Sequence, residues 1–248
     1  MALLVEHLTG GYSHIPVLKD VNFEVNDGEL VGLIGLNGAG KSTTIKHIIG
    51  LLRPQKGKIL VNGHSLAEGD VYRKEIGFIP ETPVLYDDLT LQEHIAVTAM
   101  AYDIPMDQAM KRAEPLLKTF RLDKKLDWFP IHFSKGMKQK VMILCAFLIQ
   151  PSLYIIDEPF LGLDPLAIDA LLHLMTEMKQ QGASILMSTH ILATAEQFCD
   201  RFIVLHEGTV LAQGTMEELR EQFHMPNARL DELYLSLTEE GKTNETVL

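Results

Sequence analysis

Eight consecutive residues, Gly35-Leu36-Asn37-Gly38-Ala39-Gly40-Lys41-Ser42, fit the pattern G-x-x-x-x-G-K-[ST]. Glycines let a backbone turn so that successive N–H groups point inward, where they can hold phosphate oxygens. The apolar run Leu30 to Ile34 precedes the pattern and the segment Thr43 to Ile49, which reads as helix, follows it. The positive end of a helix dipole therefore joins the same N–H groups. Lys41 would add a point charge to the phosphates, and Ser42 would offer a hydroxyl to a magnesium ion.

A second group of residues suits the same chemistry. Leu153-Tyr154-Ile155-Ile156-Asp157-Glu158 is an apolar run ending in two acids, which places carboxylates at the carboxyl end of a buried strand, where ligands bind in open α/β sheets. Alone, such a run reads equally well as an acidic strand end entering a loop. Beside a phosphate loop, Asp157 would hold Mg²⁺ through water. Glu158, facing the other way on an alternating strand, would orient and deprotonate an attacking water. His190 is one of ten histidines, and its place just after the apolar segment Ser184 to Ser188 singles it out.

These residues need a frame. Short strands are expected at Leu3 to His7, Val17 to Val25, Leu30 to Ile34 and Lys58 to Val61, the last running into the turn pair Asn62-Gly63. Leu91 to Tyr102, Asp107 to Phe120 and Met137 to Ile149 lack turn residues and carry apolar residues at helical spacing, which predicts a helical lobe in the middle third. After Pro151 come a strand at Leu153 to Ile156, a helix opened by Asp164 as N-cap with Pro165 behind it, the strand Ser184 to Ser188, and a hairpin around Glu207-Gly208. Leu171, Leu174, Met175 and Met178 recur at helical spacing and read as core. Strands alternating with helices imply an α/β fold with a mostly parallel sheet covered on both faces. About the last six residues read as a frayed end.

Composition narrows the function. A chain of 248 residues, 46% hydrophobic and 22% charged, can build one large domain or a core with a lobe. The formal net charge of −11 has the wrong sign for binding nucleic acid by counterion release. The longest apolar run, Val141 to Ile149, is too short to span a membrane, and the N-terminus lacks the pattern of a signal peptide. Cys145 and Cys199 form neither a C-x-x-C pair nor a disulfide framework, which fits a reducing cytoplasm.

Four further segments fall into a recognisable order. Phe133-Ser134-Lys135-Gly136-Met137 stands where a signature usually written L-S-G-G-Q would stand; Leu163-Asp164 matches a D-loop; His190 after Ser188-Thr189 matches a switch histidine; Tyr12 matches an aromatic residue that stacks on adenine. With these motifs the chain resembles, over nearly its whole length, the nucleotide-binding subunit of ABC transporters, and within them most resembles bacterial Ecs-type exporters. Ser134 also suits a helix N-cap, so the helix behind it presents N–H groups to an anion.

The resemblance implies a P-loop NTPase (RecA-like) core with a mostly parallel sheet, an antiparallel β subdomain and an inserted helical lobe. The ATP-binding domain would cover 1–223, with core 1–81 and 152–223 and the lobe at about 82–151, followed by a helical extension and tail at 224–248. ATP would be held by Tyr12 and by Gly35, Leu36, Asn37, Gly38, Ala39, Gly40, Lys41, Ser42 and Thr43. Ser134 and Gly136 would meet the ATP of a second copy in a head-to-tail dimer that Asp164 couples. Mg²⁺ would be held by Ser42, Asp157 and Glu81, and Glu158, His190 and Lys41 would carry catalysis.

The implied partner is a separately encoded membrane permease, so the chain is expected in the cytoplasm on the inner face of the membrane, with no nucleic-acid partner. Leu85, Tyr86 and Leu89 are candidates for the permease contact. The stripe Leu230, Leu233, Tyr234 and Leu237 is expected to pack on the body or on a second copy. Two motifs depart from the family pattern: in one Glu81 replaces a glutamine, and in the signature Lys135 and Met137 replace Gly and Gln. The rival readings are a soluble ATPase of this type acting on DNA or ribosomes and an ATP-binding switch.

Overall fold

A computed structural model describes the backbone of residues 1–244 and the side chains of 1–237; most of the expected frayed end lies outside the described residues. In chain order the elements are β1 (Leu3–Gly10), β2 (Leu18–Val25), β3 (Leu30–Ile34), α1 (Lys41–Ile48), β4 (Lys56–Val61), β5 (His64–Ser65), α2 (Asp70–Lys74) and β6 (Ile76–Ile79). Then come α3 (Leu91–Ala101), α4 (Met106–Thr119), α5 (Lys135–Ile149), β7 (Leu153–Asp157), α6 (Pro165–Gln180), β8 (Ser184–Thr189) and α7 (Leu192–Phe198). The last described elements are β9 (Arg201–His206), β10 (Thr209–Gly214), α8 (Met216–Gln222) and α9 (Leu230–Asn244).

Alternation builds the first sheet. Leu3, Val5 and Leu8 of β1 and Val21, Phe23 and Val25 of β2 are buried, and these strands join β4 and β5 in an antiparallel sheet of order β2-β1-β4-β5. The second sheet has the order β10-β9-β3-β8-β7-β6 and is parallel throughout except for the edge pair β9 and β10. The mostly parallel sheet and the antiparallel sheet expected from sequence are thus both present.

Both faces of the parallel sheet are covered, as its continuous apolar strands require. Tyr154 and Ile156 of β7 face α3, α4, α5 and α6 in one apolar cluster, while Leu153 and Ile155 face α1 and the antiparallel sheet in another. Leu171, Met175 and Met178 are buried and Leu174 packs beside them. A third cluster joins Ile34 and Val204 to α7, α8 and α9, and it buries Leu230, Leu233, Tyr234 and Leu237 against the body. Each fully buried aliphatic side chain contributes roughly 1.5–3 kcal/mol, so α9 is a seated element.

The pattern-based reading omits β6, a four-residue strand interrupted by Gly77. Packing explains the glycine: a Cβ there would lie 2.7 Å from Cγ of Pro151. It also omits α8, although Thr215 accepts from the Glu218 N–H and Glu218 reaches back to the Thr215 N–H, a capping box.

Candidate phosphate-binding site

β3 delivers Gly35 to the loop, and α1 begins at Lys41 with Gly40 before it at φ 111°. Gly38, at φ 86°, faces open space. Both dihedrals lie where L-residues are strained, so glycine is required for the loop's course. The close approach of Gly35 has a different cause: a Cβ there would stand 2.5 Å from the Leu205 carbonyl oxygen. From the hairpin of β9 and β10, the Gly208 N–H donates to the Ala39 carbonyl at 2.9 Å and fixes the loop from behind.

The loop curves around a cavity of about 360 Å³ lined by Leu36, Asn37, Gly38, Gly40, Lys41, Ser42, Thr43, Glu81, Glu158, Leu161 and His190. Lys41 is buried; its ammonium donates to the Gly35 carbonyl at 2.8 Å and lies 3.5 Å from Glu158 Oε1. Ser42 Oγ donates to Asp157 Oδ1 at 3.3 Å, and Ser188 Oγ donates to the same oxygen at 2.5 Å. Glu158 Oε2 accepts from His190 Nδ1 at 2.8 Å. A buried carboxylate pair needs such partners.

One local detail differs from the strand-alternation argument. β7 stops at Asp157, and Glu158 adopts φ 45°. Alternation ends there, so the two acids do not diverge: they meet successive residues of the same loop, Ser42 and Lys41. A non-glycine residue in the left-handed region at this place stores strain that the Ser188 contacts to the Glu158 N–H hold in place.

Not every residue singled out from sequence reaches the cavity. Gly35 and Ala39 are buried and do not line it. Tyr12 is 61% exposed beside α1, where its hydroxyl accepts from Lys46 Nζ at 2.9 Å, a bond that holds the phenol below its ordinary pKa. Ser134 is not among the residues that line the cavity; it is the N-cap of α5, accepting from the Met137 N–H at 3.3 Å. Gly136 is pressed against the Gly162 carbonyl, 2.4 Å from where a Cβ would stand. Asp164 caps α6 and binds Lys140 at 2.6 Å, which lowers its pKa. Glu81, at the end of β6, does face the cavity, and Gln139 of α5 donates to the Pro80 carbonyl beside it at 3.1 Å. Leu85 packs on the lobe cluster and Tyr86 is exposed.

Three contributors escape sequence reasoning. Leu161 lines the cavity but sits in a loop without a pattern. Ser188 faces Asp157 across the β7 and β8 register, which only strand pairing reveals. Tyr234 belongs to an apolar stripe, yet it also reaches the phosphate loop, where its hydroxyl accepts from the Leu36 N–H at 2.9 Å.

Comparison with known proteins agrees with this geometry. The family model described as ABC transporter matches residues 18–161. The chain is 64% identical over 247 residues to the ABC-type transporter ATP-binding protein EcsA of Bacillus subtilis (strain 168), covering 99% of this chain and 100% of that protein. A solved structure of an ATP-binding subunit of an ABC transporter superposes with TM-score 0.94 at 60% identity, covering 96% of this chain and 100% of the other. The dimeric post-hydrolysis structure of the ATP-binding cassette MJ0796, bound to ADP and Pi, gives TM-score 0.78 at 26% identity over 86% of this chain and 98% of that one. The resemblance drawn from the motifs is borne out: the chain belongs to the ABC transporter family, as one of its ATP-binding, ATP-hydrolysing subunits.

Proposed function

We propose that two copies of the chain pair head to tail around two ATP molecules with Mg²⁺ and drive a separately encoded membrane permease. The observation that carries this reading is the convergence of Lys41, Ser42, Glu81, Glu158 and His190 on one cavity, with Asp157 hydrogen-bonded behind it. The phosphate loop holds the nucleotide's phosphates, Lys41 neutralises part of their charge, and Tyr12 offers an exposed ring for the base. Ser42, Asp157 and Glu81 are hard oxygen donors of the kind Mg²⁺ takes, and that ion, bound to the phosphates, would withdraw charge from the transferred group. Glu158 accepts the proton of the attacking water, and His190, already bonded to its carboxylate, orients it.

Ser134 and Gly136 lie outside the chain's own cavity, which supports the assignment of these residues to the nucleotide of a second copy. The dimeric state of the MJ0796 cassette supports the same pairing. Association with a permease rests on the ABC-type transporter named for the Bacillus relative, and among the described residues no helix is long and apolar enough to cross a membrane. The chain then works on the inner face of the membrane through its partner. In this reading 1–81 and 152–223 are the core, 82–151 the helical lobe that meets the permease through Tyr86 and its neighbours, and 224–248 an extension.

The test has two arms. The purified chain should bind and hydrolyse Mg-ATP, with Lys41→Ala losing nucleotide affinity; unchanged affinity in that variant removes the loop from the reading. From detergent extracts a hydrophobic membrane protein should co-purify, whereas ribosomes or DNA in its place would replace transport with the soluble alternative.

A further inference from the structure

The geometry points to Tyr234 of α9 as a positioning residue for Lys41, acting through the peptide group that joins Gly35 to Leu36. That peptide is trans, so its carbonyl and its N–H point to opposite sides. On one side the Gly35 carbonyl accepts from Lys41 Nζ at 2.8 Å; on the other the Leu36 N–H donates to the Tyr234 hydroxyl at 2.9 Å. One peptide plane is thus held at both ends, by the lysine of the phosphate loop and by a tyrosine 198 residues away in sequence.

The tyrosine is fixed well enough to act as an anchor. The residue is 3% exposed and shares an apolar cluster with Ile34, the residue just before the loop, and with Leu230, Leu233 and Leu237. The start of α9 is tied down as well: the Leu230 N–H donates to Glu196 Oε2 at 3.1 Å, and Arg220 of α8 bonds both Glu196 and the Ala228 carbonyl. Rotation of the peptide plane would withdraw the nearer of the two carbonyls that accept from the Lys41 ammonium, Gly35 at 2.8 Å against Leu36 at 3.4 Å, and the hydroxyl opposes that rotation. The inference rests on the ATP-binding role of Lys41 proposed above.

Tyr234→Phe removes one oxygen and keeps the packing. Mg-ATP binding to the purified full-length chain should weaken roughly threefold to tenfold, the worth of one neutral hydrogen bond. KM should rise with kcat at saturating ATP nearly unchanged, and the thermal midpoint should move by only a few degrees. Because the effect passes through Lys41, it should vanish in a Lys41→Ala background titrated to saturation. Equal affinity in Tyr234→Phe and wild type, or the same loss in both backgrounds, overturns the inference. Amide exchange tests the bond without any nucleotide: the Leu36 N–H should be protected in the wild-type protein and exposed in Tyr234→Phe, and rapid exchange in the wild type defeats the positioning role even if ATP binds. Failure of the wild-type chain to bind Mg-ATP, with Leu36 protected, would instead strike the nucleotide reading and the role of Tyr234 toward it.

Discussion

The ammonium of Lys41 stands 3.5 Å from Glu158 Oε1, with both side chains at least nine-tenths buried, while the other oxygen of the same carboxylate accepts from His190. A buried acid held between two basic side chains is stabilised as a set, and loss of one member leaves the others uncompensated. The pair also ties the two halves of the chemistry together. Phosphates entering the loop and the carboxylate of Glu158 draw on the same ammonium.

Glu158→Gln follows directly from that relationship. The amide has nearly the same size and cannot take a proton from water, so Mg-ATP hydrolysis should slow by about 10²-fold or more. Binding should persist or tighten, because Lys41 no longer faces a competing negative charge. Steady-state turnover and equilibrium nucleotide binding measured on one preparation decide it, and near-normal turnover takes Glu158 out of its role.

Ser188 supports both acids at once, donating to Asp157 Oδ1 and accepting from the Glu158 N–H at 3.1 Å. Ser188→Ala takes from the buried Asp157 Oδ1 its shorter hydrogen bond and leaves it Ser42 alone, at roughly 1–3 kcal/mol, while the Glu158 N–H keeps the Ser188 carbonyl at 3.2 Å. Urea unfolding should show that loss. Hydrolysis should also need more Mg²⁺ for half-maximal rate, since Asp157 loses a fixed neighbour; an unchanged Mg²⁺ requirement would confine Ser188 to a purely structural part.

Much of this site is written in local sequence, because its parts are contiguous. The loop from Gly35 to Ser42 needs only a strand before it and a helix after it, and the Asp157-Glu158 pair needs only the apolar run that precedes it. Alternation reveals β2, and continuous apolar runs reveal β3, β7 and β8, for the same reason. What stays hidden depends on neighbours distant in the chain. Gly77 of β6 answers to Pro151, Ser188 to the strand beside it, and Tyr234 to a loop near the other end of the chain. Its place in the stripe with Leu230, Leu233 and Leu237 marks it as core, and nothing in that spacing discloses where its hydroxyl goes.

The thiols supply a pH test. Burial pushes Cys145 up to about 11 and drives Cys199 higher still, with the Asp200 carboxylate adding to the shift. The thiolate is the reactive form, so raising the pKa lowers reactivity at any pH below it. At pH 8 about one Cys145 in a thousand is ionised. A disulfide reagent such as DTNB should label the folded protein very slowly at pH 8, and both thiols should react at once in denaturant. Rapid, stoichiometric labelling of native protein would contradict the desolvation of these two partly buried thiols.

Gly208 joins the phosphate loop to the rest of the fold more tightly than its turn position suggests. Its N–H donates to Ala39 and its carbonyl accepts from the Lys19 N–H at 2.8 Å, which clamps the hairpin of β9 and β10 between the loop and β2. Its φ of 80° already disfavours any side chain, and a Cβ would stand 1.8 Å from the Val17 carbonyl oxygen, a clash with backbone that no rotamer relieves. Gly208→Ala must therefore displace either the hairpin or the start of β2. The cost should fall at the upper end of point-mutant effects, roughly 3 kcal/mol, with nucleotide affinity falling too because Ala39 loses its partner. The exposed Gly63, at φ 81° and with open space around it, is the control. Gly63→Ala should cost only about 1 kcal/mol from backbone strain, and equal costs at the two glycines would show that the contact with Val17 is not what makes Gly208 necessary.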